Sequence, residues 1–414
     1  MSPGNAKTSS DLVELVKFGP KALPFLLEAL KDRTATKLEM KLPIPEMGGT
    51  WFDNELQCNP ANANERKVIE ARPRMDALEP NFDKEHVSSY TETVGDICFV
   101  IIGQIVNRPY EASRYQMTAC VVLNSPTHDP ILAEEVRYLW SAPNPAQHLL
   151  DSLITDFVTE KIDYSGLHYF PSRWMPANDL QCGAAMRLLY YFPKETTNMI
   201  VLRLRELEVS KGVRNNRNAG AVSSVQFISA VAWSAEPAIR AEVRRIFEVT
   251  TDPEILTASI AATDPSDAAA RTRLEKFISV LPETEGDPFG KGYNLLVALG
   301  THFGPEARPA FDRYMTSASL QRRRSMCRVL AKVHGDWSVD LLGPLLSDTR
   351  PAEGWTYAVI PGQNEPRLPI RICDEAADTI AKNFSHLVFR MAGNHTDLDG
   401  QIRKMRDQIA GHSY

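Results

Sequence analysis

Apolar residues recur every three or four positions over most of this chain, and short polar turns separate the apolar stretches. Such spacing predicts amphipathic helices with one buried face. We expect one or two helices over residues 10–32, broken near Gly19, and further helices over 89–106, 130–141 and 146–161. From residue 178 onward, the pattern predicts helices over 178–191, 195–209, 220–234, 236–248, 252–262, 267–280, 293–300, 305–317, 319–333, 337–347, 370–385 and 397–411.

Two stretches depart from this pattern. Residues 33–88 are rich in Pro and Asn, and we interpret them as an irregular insertion that contains a helix near residues 64–71. Residues 349–369 form a second Pro- and Gly-rich insertion between helices. Residues 115–123 form a short apolar run that fits a strand or a buried helix equally well, because short runs do not separate the two.

One heptapeptide occurs twice in the chain. The segments 18–24 (FGPKALP) and 303–309 (FGPEARP) are identical at five of seven positions. A looser third copy follows when Gly335 is aligned with Gly19, which places Asp348 on Asp32. Glycine ends a helix because it adopts left-handed backbone angles cheaply, and the proline after it favours the start of the next helix. The heptapeptide therefore predicts a helix, a sharp turn and a second helix.

A second pattern repeats at an apolar helix. Residues 93–102 align with 371–380, which places Asp96 on Asp374 and keeps the apolar positions in register. A helical unit with only one apolar face cannot bury that face alone, so neighbouring units must stack.

These residues resemble HEAT repeats, in particular the short bacterial HEAT-like type named after phycobilisome lyases. The turn FGPxAxP, the closing Asp and the V-x-D-x-A-like helix carry the resemblance, which is clearest over residues 300–382. The resemblance implies an all-α fold, an α-solenoid of stacked antiparallel helix pairs that forms a single body over residues 1–414. It also implies a surface that binds other macromolecules, since repeat motifs specify architecture better than chemistry.

Composition narrows the function classes. The net charge of −6 and the pI near 5.9 argue against a dedicated nucleic-acid binder. The most apolar run, residues 97–106, is far shorter than the roughly 20 residues that a membrane helix needs. The N-terminal residues lack the pattern of a signal peptide, so we expect a cytoplasmic protein, although a trimmed signal would leave the same sequence.

No catalytic, metal-binding or cofactor-binding motif occurs in the chain. None of the six cysteines forms a CxxC pair, and the nine histidines show no metal-ligand spacing. Nucleophile elbows, P-loops and dinucleotide-binding fingerprints are also missing. We therefore expect no cofactor and favour a protein that is not an enzyme, although catalytic residues can converge from distant positions.

Aromatic residues in the insertions are the first candidates for binding. Insertions in repeat proteins often line the binding face, and aromatics are enriched in interaction hot spots. Trp355 and Tyr357 lie in the second insertion, and Trp51 and Phe52 lie in the first. The alternative is that these rings fold back onto the helices.

A run of three arginines, Arg322, Arg323 and Arg324, is the other candidate. Three consecutive residues spread around a helix, so these side chains cannot form one stripe. They either pair with carboxylates of neighbouring turns or bind an acidic partner or a phosphate.

The leading hypothesis is a non-catalytic HEAT-like scaffold that binds another protein. The first alternative is a ligand carrier or lyase-like enzyme on the same frame. The second is nucleic-acid binding through a concave face, with Lys211, Arg214, Arg217 and the three arginines as contacts. The sequence does not determine the oligomeric state.

Overall fold

The computed structural model describes residues 9–41, 49–72, 87–115, 120–163, 177–207, 223–280, 291–316, 320–351 and 369–411. The described chain is mostly helical, with a few short strands that all precede residue 124. The prediction of a predominantly helical protein is confirmed at this level.

The chain divides into two compact units. Unit 1 comprises Met1–Arg203 and Val213–Ala238, and unit 2 comprises Leu204–Gly212 and Ile239–Tyr414. We describe each unit by itself, and a single continuous body over residues 1–414 stays a prediction.

The helices of unit 1 fall close to the predicted stretches. The predicted break near Gly19 is confirmed, because a 3-10 turn over Gly19–Lys21 separates the first two helices. Within unit 1 the helices are α1 (Ser10–Phe18), α2 (Leu23–Glu28), α3 (Ala63–Ala71), α4 (Val94–Val106), α5 (Pro130–Trp140), α6 (Pro145–Val158), α7 (Ala177–Tyr191), α8 (Pro193–Glu206, which crosses the boundary after Arg203) and α9 (Ser224–Val231).

Strands lie in the first insertion, directly after it and in the segment after α4. The strands are β1 (Ala35–Lys41), β2 (Thr50–Phe52), β3 (Ser89–Thr93), β4 (Ser113–Tyr115) and β5 (Val121–Leu123). Strands β1 and β3 pair antiparallel, and the second sheet has the order β2-β5-β4, with β2 parallel to β5.

Two predictions are settled by these strands. A helix over the whole of residues 89–106 is wrong, because residues 89–93 form β3 and the helix begins at Val94. The sequence SYTET is rich in β-branched and aromatic residues, and Thr93 caps the helix that follows. The short apolar run before residue 124, which fitted either state, ends in the strand β5.

The helices of unit 2 also lie within a few residues of the prediction. They are α10 (Pro237–Val249, which begins at the boundary), α11 (Pro253–Ser259), α12 (Ala268–Ser279), α13 (Lys291–Phe303), α14 (Arg308–Thr316), α15 (Leu320–Leu330), α16 (Trp337–Leu342), α17 (Ile372–Asn383) and α18 (His395–Ala410). Short 3-10 segments extend three of these elements, over Ile260–Ala262, Gly304–Ala307 and Gly343–Ser347.

The two FGP turns share one backbone geometry. Gly19 has φ 56° and Gly304 has φ 55°, a region that side chains with a Cβ atom rarely adopt. In both turns the glycine begins a 3-10 segment with proline in its first turn, and an α-helix follows. The repeated heptapeptide therefore encodes the same sharp turn in each unit.

A helix and its closing turn meet in the same way in both units. In unit 1, the backbone N–H of Gly95 donates to the carbonyl of Asp32 at 2.9 Å, and that of Val94 donates to Thr34 at 2.9 Å. These bonds join the turn after α2 to the first turn of α4, so two of the free N–H groups at the helix start are satisfied.

Unit 2 repeats these bonds at the aligned positions. The backbone N–H of Cys373 donates to the carbonyl of Asp348 at 2.9 Å, and that of Ile372 donates to Arg350 at 3.1 Å. They join the turn after α16 to the first turn of α17. The alignment of Asp32 with Asp348 is therefore supported by matching hydrogen bonds.

The two insertions are bounded by equivalent residue pairs in the two units. In unit 1, Ala35 pairs antiparallel with Thr93, where β1 begins and β3 ends. In unit 2, Pro351 pairs antiparallel with Arg371. Each pair directly follows the closing turn and directly precedes the next helix, so both insertions enter the repeated unit at the same point.

Candidate functional site

A buried charge cluster anchors the first insertion to the helices of unit 1. Arg108, just after α4, reaches Glu65 on α3 and Asp156 on α6, and all three side chains are almost inaccessible to solvent. The Arg108 guanidinium donates to Asp156 through Nη1 at 2.5 Å and Nη2 at 3.0 Å. It also donates to Glu65 Oε2 through Nε at 2.7 Å, and its Nη2 contacts Glu65 Oε1.

The residue before this arginine fixes its direction. Asn107 ends α4 with left-handed backbone angles, at φ 63°. Its side-chain amide donates to Asp156 Oδ2 at 3.0 Å and to the carbonyl of Leu180 on α7 at 2.9 Å. Asparagine tolerates this conformation better than most residues. The pair Asn107-Arg108 therefore joins α4, α6 and α7 around one buried carboxylate.

The buried charges of this cluster compensate one another, as expected for a structural core. Burial raises the pKa of Glu65, although Arg108 opposes the rise. Burial alone would lower the pKa of Arg108, but Asp156 and Glu65 raise it. Burial also raises the pKa of the nearby Cys58 thiol well above its usual value, so this cysteine is not an activated nucleophile. The cluster orders the insertion and offers no accessible reactive group.

An aromatic group joins the first insertion to the segments on either side of α4. Phe52 stacks on His128 with ring centroids 3.7 Å apart and planes at 12°. The Tyr90 ring lies edge-on to the Phe52 ring, with the ring centroids 5.6 Å apart. Trp51 and Phe52 are half-buried on β2, while His128 is exposed before α5. We call Phe52, Tyr90 and His128 the aromatic edge. Trp51 is the neighbour of Phe52 on β2, where successive side chains point to opposite faces.

Sequence reasoning missed most of this arrangement. It selected Trp51 and Phe52, but it did not join them to Tyr90 or His128, which lie far away in the chain. It also missed Glu65, Arg108 and Asp156, because single charged residues in separate segments have no spacing that marks them. The only local signal was the Asn-Arg pair at the end of a very apolar helix.

Two of the three consecutive arginines of α15 form ion pairs within unit 2. Arg323 pairs with Asp348 at 3.0 Å, and Arg324 pairs with Glu375 at 3.4 Å. Both therefore join α15 to neighbouring elements of unit 2. The Arg322 side chain lies outside the described residues, as do Trp355 and Tyr357 of the second insertion and the basic residues Lys211, Arg214 and Arg217.

A cleft of about 370 Å³ lies between α2, α5 and the start of α6. Its walls include Leu27, Trp140 and Arg137. The Arg137 guanidinium donates to the carbonyls of Leu27 at 2.9 Å and Glu28 at 3.0 Å, so it satisfies the end of α2. The guanidinium that lines this cleft is therefore occupied by backbone carbonyls.

Two further findings concern the described residues. No group of three or more His, Cys, Asp or Glu side chains among them could hold a metal ion. No helix in the described ranges is long and apolar enough to cross a membrane.

Comparisons with protein-family models, with curated proteins and with solved structures find no match to this chain.

Proposed function

We propose that this protein is a non-catalytic scaffold, in which segments inserted into HEAT-like helical repeats bind a partner protein. The observation that carries the proposal is the shared entry point of the insertions, at Ala35–Thr93 in unit 1 and Pro351–Arg371 in unit 2. An insertion at this position leaves the same face of its own repeat in each unit, and such a face is often the binding face.

The packing of unit 2 supports a solenoid arrangement. Helices α11, α13, α15 and α17 pack against one another in that order, and α18 packs on α17. In a stack of helix pairs, each repeat contacts only its neighbours. Equivalent helices of successive pairs, which are every second helix along the chain, therefore contact one another.

Ion pairs follow the other row of helices in unit 2. Arg244 of α10 pairs with Asp267, the N-cap of α12, at 2.6 Å. Further along the row, Arg308 of α14 pairs with Asp340 of α16 at 2.6 Å. Exposed ion pairs contribute little to the free energy of folding. We therefore assign these pairs a role in aligning successive repeats with one another.

The aromatic edge is the described surface that best fits a protein partner. It combines Phe52 of the first insertion with Tyr90 and His128, which lie just before α4 and α5 in the chain. Such rings supply a large contact area at a low entropic cost, because few side-chain torsions are immobilised on binding. We assign the first contacts with the partner to Trp51 and Phe52, and further contacts to Trp355 and Tyr357 of the second insertion.

The test is affinity capture from source lysate with the tagged full chain, at low and moderate salt, followed by mass spectrometry. We compare the wild type with Trp51→Ala and with a variant in which a Gly-Ser linker replaces residues 352–368. Trp233→Ala is the matched control, because this half-exposed tryptophan also belongs to unit 1 but lies outside both insertions.

We expect the wild type and Trp233→Ala to retain one protein at moderate salt, and the two insertion variants to lose it. Equal capture by all four proteins would contradict the proposal. Nucleic acid that is lost as salt increases would instead favour the nucleic-acid alternative, because phosphate contacts release counterions. A small molecule that remains bound through purification would favour the ligand-carrier alternative.

A further inference from the structure

An exposed stripe of three side chains runs along the outer side of α2. The helical backbone continues from the preceding 3-10 turn into α2, since Ala22 between them has φ −79° and ψ −25°. Lys21, Phe25 and Glu28 therefore lie on one side of this segment, because residues three and four positions apart are neighbours on a helix. All three are exposed, whereas the leucines of α2 are buried. The stripe has an apolar centre between a cation and an anion.

Two large apolar side chains of α5 extend this surface. Phe25 is 74% exposed, and Ile131 and Tyr138 are 63% and 58% exposed. Ile131 and Tyr138 lie on the same side of α5 as Glu134, which pairs with Lys31 just after α2. The exposed sides of α2 and α5 are therefore adjacent. Single exposed apolar residues are common, but a group of them marks an interaction surface.

The two charges that flank Phe25 have no counter-charge within the described chain. Neither Lys21 nor Glu28 forms a side-chain ion pair with any residue that the structure describes, whereas the nearby Lys17 pairs with Glu14 at 2.6 Å. Lys21 precedes Phe25 by four residues and Glu28 follows it by three, which places them roughly 6 Å and 4.5 Å from Phe25 along the axis. A stripe with this order of charges is complementary to itself when it is reversed.

The cleft between α2 and α5 lies beside this stripe. Pro24 and Leu27 of α2 and Trp140 of α5 contribute apolar walls to its volume of about 370 Å³. Pro24 directly precedes Phe25, so the projecting ring and the cleft belong to one surface. In a two-fold symmetric interface the same patch of each subunit meets itself. A surface that carries both a projecting ring and a recess therefore fits a second copy of itself.

We propose that this surface joins two copies of the chain in a two-fold symmetric dimer, in which α2 lies antiparallel to α2 of the second copy. Lys21 of each copy lies opposite Glu28 of the other, and Phe25 of each copy covers the cleft of the other. Burial of Phe25, Ile131 and Tyr138 supplies the apolar contribution, and the two ion pairs set the antiparallel orientation. The dimer is independent of the proposed function, which assigns the partner protein to the insertions.

The first test measures the mass of the full chain by light scattering and its dissociation constant by sedimentation equilibrium. We expect the mass of two chains at high concentration and of one chain after dilution. Phe25→Ala should raise the dissociation constant about tenfold or more, because an aromatic ring at the centre of an interface is a typical hot spot. Tyr115→Ala is the matched control and should change nothing, since this ring is 70% exposed in unit 1 but lies on β4.

The second test exchanges the charges at low ionic strength. Lys21→Glu alone, or Glu28→Lys alone, places like charges opposite each other at both ends of the stripe, so each variant should dimerise more weakly than the wild type. An equimolar mixture of the two variants restores both opposite-charge pairs and should form a heterodimer. Lys194→Glu is the control, because it changes the net charge equally at an exposed position of α8 and should leave the dimer intact.

Three outcomes would overturn the proposal. The wild type could stay monomeric at its highest soluble concentration, which would leave the stripe to a different protein. Phe25→Ala could dimerise as tightly as Tyr115→Ala. The mixture of Lys21→Glu and Glu28→Lys could associate no more tightly than either variant alone. Circular dichroism of each variant checks that the helices remain folded, as expected for exposed positions.

Discussion

At the scale of single residues, buried or half-buried acids organise this protein. Asp156 and Glu65 share one arginine in unit 1, so their charges are compensated inside the core. Asp374 has the same kind of compensation from Arg371 in unit 2. Removal of one member of such a buried pair typically costs about 3–5 kcal/mol, because the remaining charge stays desolvated.

The closing aspartate of unit 2 gives a pH-dependent prediction. The hydrogen bonds from Arg350 lower the pKa of Asp348 from 3.8 to about 2, with a further contribution from Arg323. A lowered pKa stabilises the folded state above the unfolded pKa, and this stability is lost as the pH falls through about 2. We expect Asp348→Asn to reduce the free energy of unfolding by about 1–2 kcal/mol at neutral pH.

The difference between Asp348→Asn and the wild type should shrink between pH 4 and pH 2 and then vanish. Urea denaturation at a series of pH values, followed by circular dichroism, measures it. Glu14→Gln is a suitable control, because Glu14 forms an exposed pair with Lys17. A difference that stays constant down to pH 2 would show that hydrogen bonding to the neutral acid, and not its charge, stabilises the turn.

At the scale of elements, the FGP turn sets the angle between successive helices. Gly19 and Gly304 have nearly the same φ, but their surroundings differ. A Cβ atom at Gly19 would lie 2.5 Å from Cε1 of Tyr191, whereas no atom lies within 4 Å of a Cβ atom at Gly304. The Tyr191 hydroxyl donates to the carbonyl of Val16 at 2.7 Å, so its ring cannot move without loss of that bond.

We therefore expect Gly19→Ala to destabilise the protein more than Gly304→Ala does. The positive φ alone should cost about 1–2 kcal/mol at each position. At Gly19 the clash with Tyr191 adds to this cost. Thermal melting of the two variants at equal concentration measures the difference, with Gly400→Ala as a control in open space on α18. Equal losses at Gly19 and Gly304 would mean that Tyr191 adapts freely.

At the scale of the whole molecule, the chain forms two compact units with related helical repeats. Each unit contains a closing Asp, a capped helix with a buried Asp, and an insertion between them. If stability resides mainly within each unit, a cavity in one core should loosen that core and leave the other protected.

Leu330→Ala tests this independence. Leu330 is fully buried in unit 2, and truncation of such a leucine costs about 2–5 kcal/mol. We expect amide hydrogen exchange to accelerate in α13, α15 and α17, while exchange around the buried Leu153 of unit 1 stays unchanged. The mirror experiment, Leu153→Ala, should reverse the pattern. Equal acceleration in both units would show a single cooperative core.

Local sequence was sufficient to predict most helices. The helices after residue 236 lie within a few residues of their predicted bounds, because their apolar positions recur regularly and proline or aspartate marks many of their starts. Residues 89–93 were predicted wrongly, since a strand that runs directly into a capped helix leaves no turn between the two elements. Strand pairing depends on partners distant in the chain, such as β1 for β3, and no local pattern contains that information.

The sequence by itself determined the helical periodicity, the repeated FGP turn and the alignment of Asp32 with Asp348 and of Asp96 with Asp374. Each of these depends on backbone preferences within a few residues, so it can be recognised without the fold. Only the tertiary structure brought Arg108 to Glu65 and Asp156, placed Phe52 on His128, and showed that both insertions begin at equivalent residue pairs. These contacts join residues tens of positions apart, and burial and charge compensation determine them only after the chain has folded.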